Sequence, residues 1–194
     1  MRKLTVSEFI TLDGVIQAPG APDEDTDGGF EHGGWTLPYW HDDIGANFAR
    51  LMEGVDAFLL GRRTYVEHAE AFEPLPTGDP FGDLMNPPEK YVVSRTLEKP
   101  IWRNTTIIRE NPLQFVRELK ARPGGAIFTD GSSQLVHALL AADLVDELHL
   151  LVYPITVGGG KKLFPEGWHA PFRLVETKPY PSGVVGLRYG RDRD

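Results

Sequence analysis

Val55-Asp56-Ala57-Phe58-Leu59-Leu60-Gly61-Arg62-Arg63-Thr64-Tyr65 decides how the rest of the chain is read. A short apolar run, Val55 to Leu60, meets a glycine and turns at once into a polar helix start. A near-continuous apolar run bounded by such punctuation marks a strand covered on both faces, as in a parallel sheet. The helix opened by Gly61 to Thr64 ends near Phe72. Working outward, the same alternation recurs. Leu4 to Ile10 reads as a first strand, Lys90 to Ser94 and Thr105 to Ile108 as later ones, and Ala126 to Thr129 and Asp146 to Tyr153 as two more. Between them lie a helix from Asp42 or Asp43 to about Glu53, closed by Gly54, and one opened by Asn111-Pro112 and ended by Pro123-Gly124-Gly125. Another runs from Ser132-Ser133 to about Ala142. Phe172 to Lys178 and Val184 to Tyr189, joined by Tyr180-Pro181-Ser182-Gly183, read as an antiparallel hairpin on an otherwise parallel sheet. The expectation is an α/β fold with helices on both faces of one mixed sheet, and a single domain over 1–194.

Two long stretches resist this pattern. Gln17 to Pro38 is rich in Gly, Pro and acid and lacks periodicity, and Glu73 to Glu89 is a Pro/Gly-rich loop. Structureless loops of more than roughly 12–15 residues in compact domains are usually functional or disordered. Trp35, Tyr39 and Trp40 near the end of the first suggest a lid over a cleft, the segment Gly34 to Trp40 closing it. A solvated excursion is the other reading.

Composition removes several classes of function. The 194 residues carry 20 Lys+Arg against 28 Asp+Glu, a net charge of −8, and no cysteine. An acidic balance disfavours a nucleic-acid or anionic-membrane surface. The absence of cysteine excludes thiol nucleophiles, iron–sulfur clusters and Cys-ligated zinc. The six histidines (32, 41, 68, 137, 149 and 169) include no i, i+4 pair, and no H-E-x-x-H, G-x-S-x-G or G-x-x-x-x-G-K-[ST] motif occurs. No metal site is expected. Apolar runs are too short for a membrane helix, and Glu8 interrupts any signal-peptide core, so a soluble, cytoplasmic protein is expected.

What remains is a set of strand-to-helix turns suited to anions. At Gly61-Arg62-Arg63-Thr64, backbone N–H groups, the helix dipole and two guanidinium groups favour a phosphate. Asp130-Gly131-Ser132-Ser133 repeats the device, small residues allowing close backbone approach to a pyrophosphate. Ser94-Arg95-Thr96 ends a strand with a hydroxyl–guanidinium–hydroxyl run, the kind that meets the 2′-phosphate separating NADP from NAD. Taken singly, each is equally a capped helix or a solvated arginine. A dinucleotide with separated phosphates explains the three together.

Five segments in order carry a family resemblance: Thr11-Leu12-Asp13-Gly14-Val15-Ile16, Leu60 to Tyr65, Tyr91 to Leu97, Asp130 to Ser133, and Pro154 to Phe164. The chain resembles the dihydrofolate reductase-like superfamily, in the branch similar to the C-terminal reductase domain of bifunctional riboflavin-biosynthesis (RibD) proteins. The resemblance implies a three-layer sandwich around a mixed, mostly parallel sheet, NADPH as hydride donor, a small pterin- or pyrimidine-like acceptor and a homodimer. It implies that Gly61, Arg62, Arg63 and Thr64 hold cofactor phosphates and that Ser94, Arg95 and Thr96 surround the 2′-phosphate. Gly131, Ser132 and Ser133 would hold the pyrophosphate, with Gln134 and Leu135 behind. Leu12, Asp13, Gly14, Trp40, Gly159 and Gly160 would border the substrate, and Asp13, His41 or an ordered water would supply a proton. The family's substrate-anchoring carboxylate has no clear counterpart, Asp42 and Asp43 lying only near its place. The alternative is a non-catalytic nucleotide-binding module of the same fold.

Overall fold

A computed structural model of the chain describes residues 1–192. Its centre is an eight-stranded sheet of order β4-β3-β2-β5-β1-β6-β8-β7. The strands are β1 (Leu4–Thr11), β2 (Val55–Gly61), β3 (Glu89–Val93), β4 (Thr105–Ile108), β5 (Ala126–Thr129), β6 (Glu147–Tyr153), β7 (Phe172–Pro179) and β8 (Val185–Arg191). The first six pair in parallel, and β8 joins β6 and β7 antiparallel. The helices are α1 (Asp42–Met52), α2 (Arg62–Phe72), α3 (Pro80–Met85), α4 (Pro112–Ala121) and α5 (Ser133–Ala141).

The strand period of two sorts the core onto both faces. From β2, Ala57 and Leu59 join Leu4, Val6 and Ile127 against Val116 and Leu119 of α4 and Val136 and Leu139 of α5. Phe58 and Leu60 turn the other way, with Phe128, against Met52, Tyr65, Ala69 and Met85 of α1, α2 and α3. This is why Ala57 to Leu60 shows no alternation: all four positions are buried. The three-layer arrangement and the C-terminal hairpin agree with the sequence expectation.

The two unpatterned loops are more ordered than their composition suggests. Within Glu73 to Glu89, Asp79 caps α3 by accepting from the Phe81 and Gly82 N–H groups at 2.9 Å, with Pro80 at the first helical position. Six residues are too few to show a helical period. Within Gln17 to Pro38, Ala18, Phe30 and Trp35 are buried around Tyr153. Trp35 Nε1 donates to Gln17 O at 2.8 Å, and Gln17 Nε2 donates to the carbonyls of Asp25 and Asp27, both at 3.0 Å. Buried aromatics and internal hydrogen bonds replace the periodic ladder that a sequence pattern would reveal.

At the far edge, Gly125 gathers the starts of three strands. Its N–H donates to Asp56 at 2.6 Å, its carbonyl accepts from Arg2 Nε at 2.8 Å, and Arg2 pairs with Asp56. A Cβ on Gly125 would lie 2.2 Å from the Gly54 carbonyl oxygen. Gly125→Ala is therefore expected to lower unfolding free energy by more than about 2 kcal/mol, since backbone must move. An unchanged denaturant midpoint would contradict this reading of the junction.

Candidate functional site

Strands β1 and β5 pair only from Leu4 to Val6 against Ile127 to Thr129, while β1 continues to Thr11 beside β6. Beyond Val6 the two strands part at the carboxyl edge of the sheet, where open α/β sheets bind ligands. A cleft of about 750 Å³ occupies this place. Gly61 to Thr64, Ser94, Arg95 and Gly131 to Leu135 all line it, from three strand ends. Thr96 does not; its N–H donates to Ser94 Oγ at 3.2 Å, as that of Leu97 does at 2.9 Å, and so it shapes the Arg95 turn.

The first and last of these segments are fastened to each other. Gly61 N–H donates to Ser132 Oγ at 2.9 Å, while the Ser132 N–H and hydroxyl both donate to Thr64 Oγ1 at 3.1 Å. A Cβ on Gly131 would lie 2.8 Å from Thr64 Oγ1, so this approach needs glycine, which also takes φ of +52° there. The N-termini of α2 and α5 thus converge on the cleft, and neither has a side-chain cap. Their first-turn N–H groups and dipoles favour an anion. Arg62 lines the same wall and makes no ion pair among the described residues.

Arg63 is differently placed. It pairs with Asp25 at 2.9 Å and Asp27 at 2.5 Å, and Lys161 pairs with the same two carboxylates at 2.5 and 2.9 Å. Hydrogen bonds from Arg63 and then Lys161 hold the Asp27 carboxyl down at about 2. This quartet straps the first half of the long loop across the cleft, and Gln17, Asp25 and Asp27 form part of its wall. The aromatic end of the loop does not: Trp35 is core, and Trp40 is half exposed, its ring 3.6 Å from where a Gly45 Cβ would stand.

The other sequence-identified substrate and proton-donor residues lie outside the cleft lining. Asp13 accepts from Thr11 Oγ1 at 2.6 Å and from the Val157 and Gly158 N–H groups at 3.3 and 2.8 Å, which pins the turn of Leu12 and Gly14 to the β6 exit loop. The Thr11 hydroxyl above all, opposed by slight burial and joined by the Gly158 and Val157 N–H groups, holds its carboxyl below the usual range. A carboxylate so satisfied is a poor proton donor. His41 caps α1, accepting from the Asp43 N–H at 3.2 Å. Gly159 is also absent from the lining, and Gly160 packs beside Val15 and Phe30.

Sequence reasoning passed over several lining residues. Glu8, 5% exposed, accepts from the Gly131 N–H at 3.1 Å, and its Oε1 has no partner. Burial, then the nearby Asp130 carboxylate, push its carboxyl well above the ordinary range, against the Gly131 hydrogen bond. Asp130 in turn meets His68 at 2.9 Å. Asn47 and Phe48 of α1 and His149 and Leu151 of β6 close the inner end. At the opposite end, Arg109 stands with Arg95, Glu110 and Asn111 around a second hollow of about 510 Å³. A strand-end arginine after Thr105 to Ile108 repeats the Ser94-Arg95 pattern, and was the signal available for it.

Fold and cleft together define a dihydrofolate reductase-like α/β protein, a class of reductase-type domains. The chain belongs to the RibD C-terminal domain family, whose model matches residues 2–186. It is 28% identical over 192 residues to the uncharacterized protein YyaP of Bacillus subtilis (strain 168), covering 97% of this chain and 94% of that one. Its fold is similar to that of a putative riboflavin biosynthesis protein from Shewanella sp. PV-4 (TM-score 0.74, 21% identity, 98% and 99% of the two chains). It is also similar to dihydrofolate reductase from Enterococcus faecalis, solved as a complex with NADP(H) (TM-score 0.63, 18% identity, 98% and 97%). Among the described residues no helix is long and apolar enough to cross a membrane.

Glu8 binds its proton more tightly folded than unfolded. The stability this contributes is complete below the unfolded carboxyl value of roughly 4.3, and is lost as pH rises from there through the raised folded value. Glu8→Gln cannot ionise and escapes that loss. Its stability relative to the unmodified protein is expected to improve as pH rises from the unfolded carboxyl value of roughly 4.3 toward the raised folded value, read from denaturant midpoints. A difference independent of pH would contradict a protonated Glu8.

Proposed function

We propose that this protein is an NADPH-dependent reductase that delivers a hydride to a C=N bond of a small pterin- or pyrimidine-like molecule. One observation carries the reading: two uncapped helix N-termini, those of α2 and α5, are fastened side by side on one cleft. Paired N-termini answer a pyrophosphate better than a single phosphate, because two dipoles and two sets of N–H groups converge on adjacent anionic groups. Arg62 adds a guanidinium, and Thr64 Oγ1, which accepts two hydrogen bonds, keeps its own proton to donate. Ser94 and Arg95 line the same cleft, and this reading gives them a further phosphate. The residues present therefore suit a dinucleotide phosphate.

NADPH, when bound, supplies the hydride. The chain's part is to bind, orient and exclude water, for which the strap over the cleft serves. Reduction of a C=N bond also needs a proton at nitrogen. Among the described lining residues, Glu8 is the buried carboxyl pushed to retain a proton, and we assign it as the proton reserve at Oε1. The binding-module reading draws on one fact, that Asp13 and His41 lie off the cleft. It predicts binding without oxidation across pterins and riboflavin precursors.

Fluorescence titration with NADPH, with NADH as control, tests the proposal. Binding at tens of micromolar or tighter with preference for NADPH is expected, and no binding in that range removes the reading. Arg95→Ala is expected to cut the preference for NADPH about tenfold, or ~1.4 kcal/mol, the size of one charge-assisted phosphate contact. A surviving preference would place the 2′-phosphate elsewhere.

A further inference from the structure

The inner end of the cleft holds a polar chain whose direction is fixed by what each group is able to do. Arg50 Nη2 donates to Asn47 Oδ1 at 3.0 Å, and a guanidinium only donates, so the Asn47 amide nitrogen faces His149. That nitrogen is 3.3 Å from His149 Nε2 and also only donates, so Nε2 is the unprotonated acceptor. The ring proton then sits on Nδ1, directed at Ser7 Oγ 3.5 Å away. Ser7 Oγ accepts, and its own proton is left for the cleft. Ser7 and His149 are register partners on β1 and β6, Asn47 and His149 are buried, and all three line the cavity.

A protonated His149 would set its Nε2–H against the Asn47 N–H, donor facing donor. Burial, and the guanidiniums of Arg188 and Arg50, press the same way, against Glu176 and Glu147, and hold the imidazole down at about 4. Glu176 is occupied with Arg50 at 3.2 Å and Arg188 at 3.4 Å. The lining residues of α1 and β6 are Asn47, Phe48, His149 and Leu151, with no carboxylate among them. On β1, Glu8 also lines the cleft, but burial pushes its carboxyl toward the neutral form, so a cationic ring, such as a protonated diaminopyrimidine, meets no fixed counter-ion at this end.

We propose that this end of the cleft selects an uncharged ring presenting a carbonyl oxygen to the Ser7 hydroxyl, with Phe9, Phe48 and Leu151 covering its apolar faces. Asn47 and His149 are positioning residues that orient that hydroxyl, and Arg50 orients Asn47. The inference deepens the reductase reading by naming the acceptor's recognition chemistry, and it rests on that reading for the place of the acceptor.

Two probes that share a bicycle decide it: pteridine-2,4-dione and pteridine-2,4-diamine, titrated calorimetrically with and without saturating NADPH. The dione is expected to bind at least about tenfold tighter, the range of one buried hydrogen bond set against an unmatched donor. Ser7→Ala is expected to erase that ratio. Nitrogen NMR of His149 in the unmodified protein is expected to show a neutral ring protonated at Nδ1 at neutral pH, and Asn47→Asp to convert it to imidazolium. Equal or tighter binding of the diamine, or an imidazolium in the unmodified protein, overturns the proposal. So does failure of both probes, with and without NADPH. The NADPH titration decides the reductase reading separately, and the probe ratio and ring state are measured without any variant that must fold.

Discussion

Thr64 Oγ1 accepts two hydrogen bonds from Ser132, and Ser132 Oγ accepts one from Gly61. These three bonds join turns 68 to 71 residues apart in the chain. Without them, α2 and α5 would each present a helix N-terminus to solvent, where a dipole is worth well under about 1 kcal/mol. With them, two N-termini face one enclosed space, and the space acquires a chemical preference. The bonds in turn depend on Gly131, since any Cβ there would meet the Thr64 hydroxyl. The sheet supplies the frame: β2 and β5 are neighbours, so their exits are adjacent.

The net charge of −8 is compatible with an anionic ligand because the charges are segregated. Asp25 and Asp27 are spent on Arg63 and Lys161 at the strap. Glu8 is pushed toward its neutral form, and Asp130 is matched by His68. Of the two arginines that follow Gly61, one is thus committed to the loop, and Arg62 remains beside the uncapped N-termini. A phosphate approaching Arg63 would have to compete with two carboxylates already in place, so the strap and the proposed anion site are not independent.

The strand-to-helix turns that line the cleft were legible in the sequence because their chemistry is local. Strand, glycine, polar residues and helix follow one another within a dozen positions, and each turn needs no distant partner to be recognised. The inner end was not legible. His149 sits 102 residues from Asn47 and 142 from Ser7; the β1–β6 pairing brings Ser7 to it, and α1 brings Asn47 to the same ring. In the sequence Glu8 reads only as a charge that interrupts an apolar run, and its hydrogen-bond partner, the Gly131 N–H, lies 123 residues along the chain. Asp13 and His41 were candidates for the proton donor, Asp13 through the family resemblance of its segment. Both residue types are common as turn and cap ligands, and that is how they are used. The long loop misled for a further reason: its order comes from buried Trp35 and Phe30 and from Gln17, none of which forms a period.

Amide NMR of isotope-labelled protein titrated with NADP⁺ tests most directly whether the two helix N-termini bind one anion together. The largest shifts are expected together at Arg62 to Thr64 and Ser133 to Leu135, with one common midpoint. Shifts confined to one of the two segments, or centred instead on Gly158 to Lys162, would contradict joint binding.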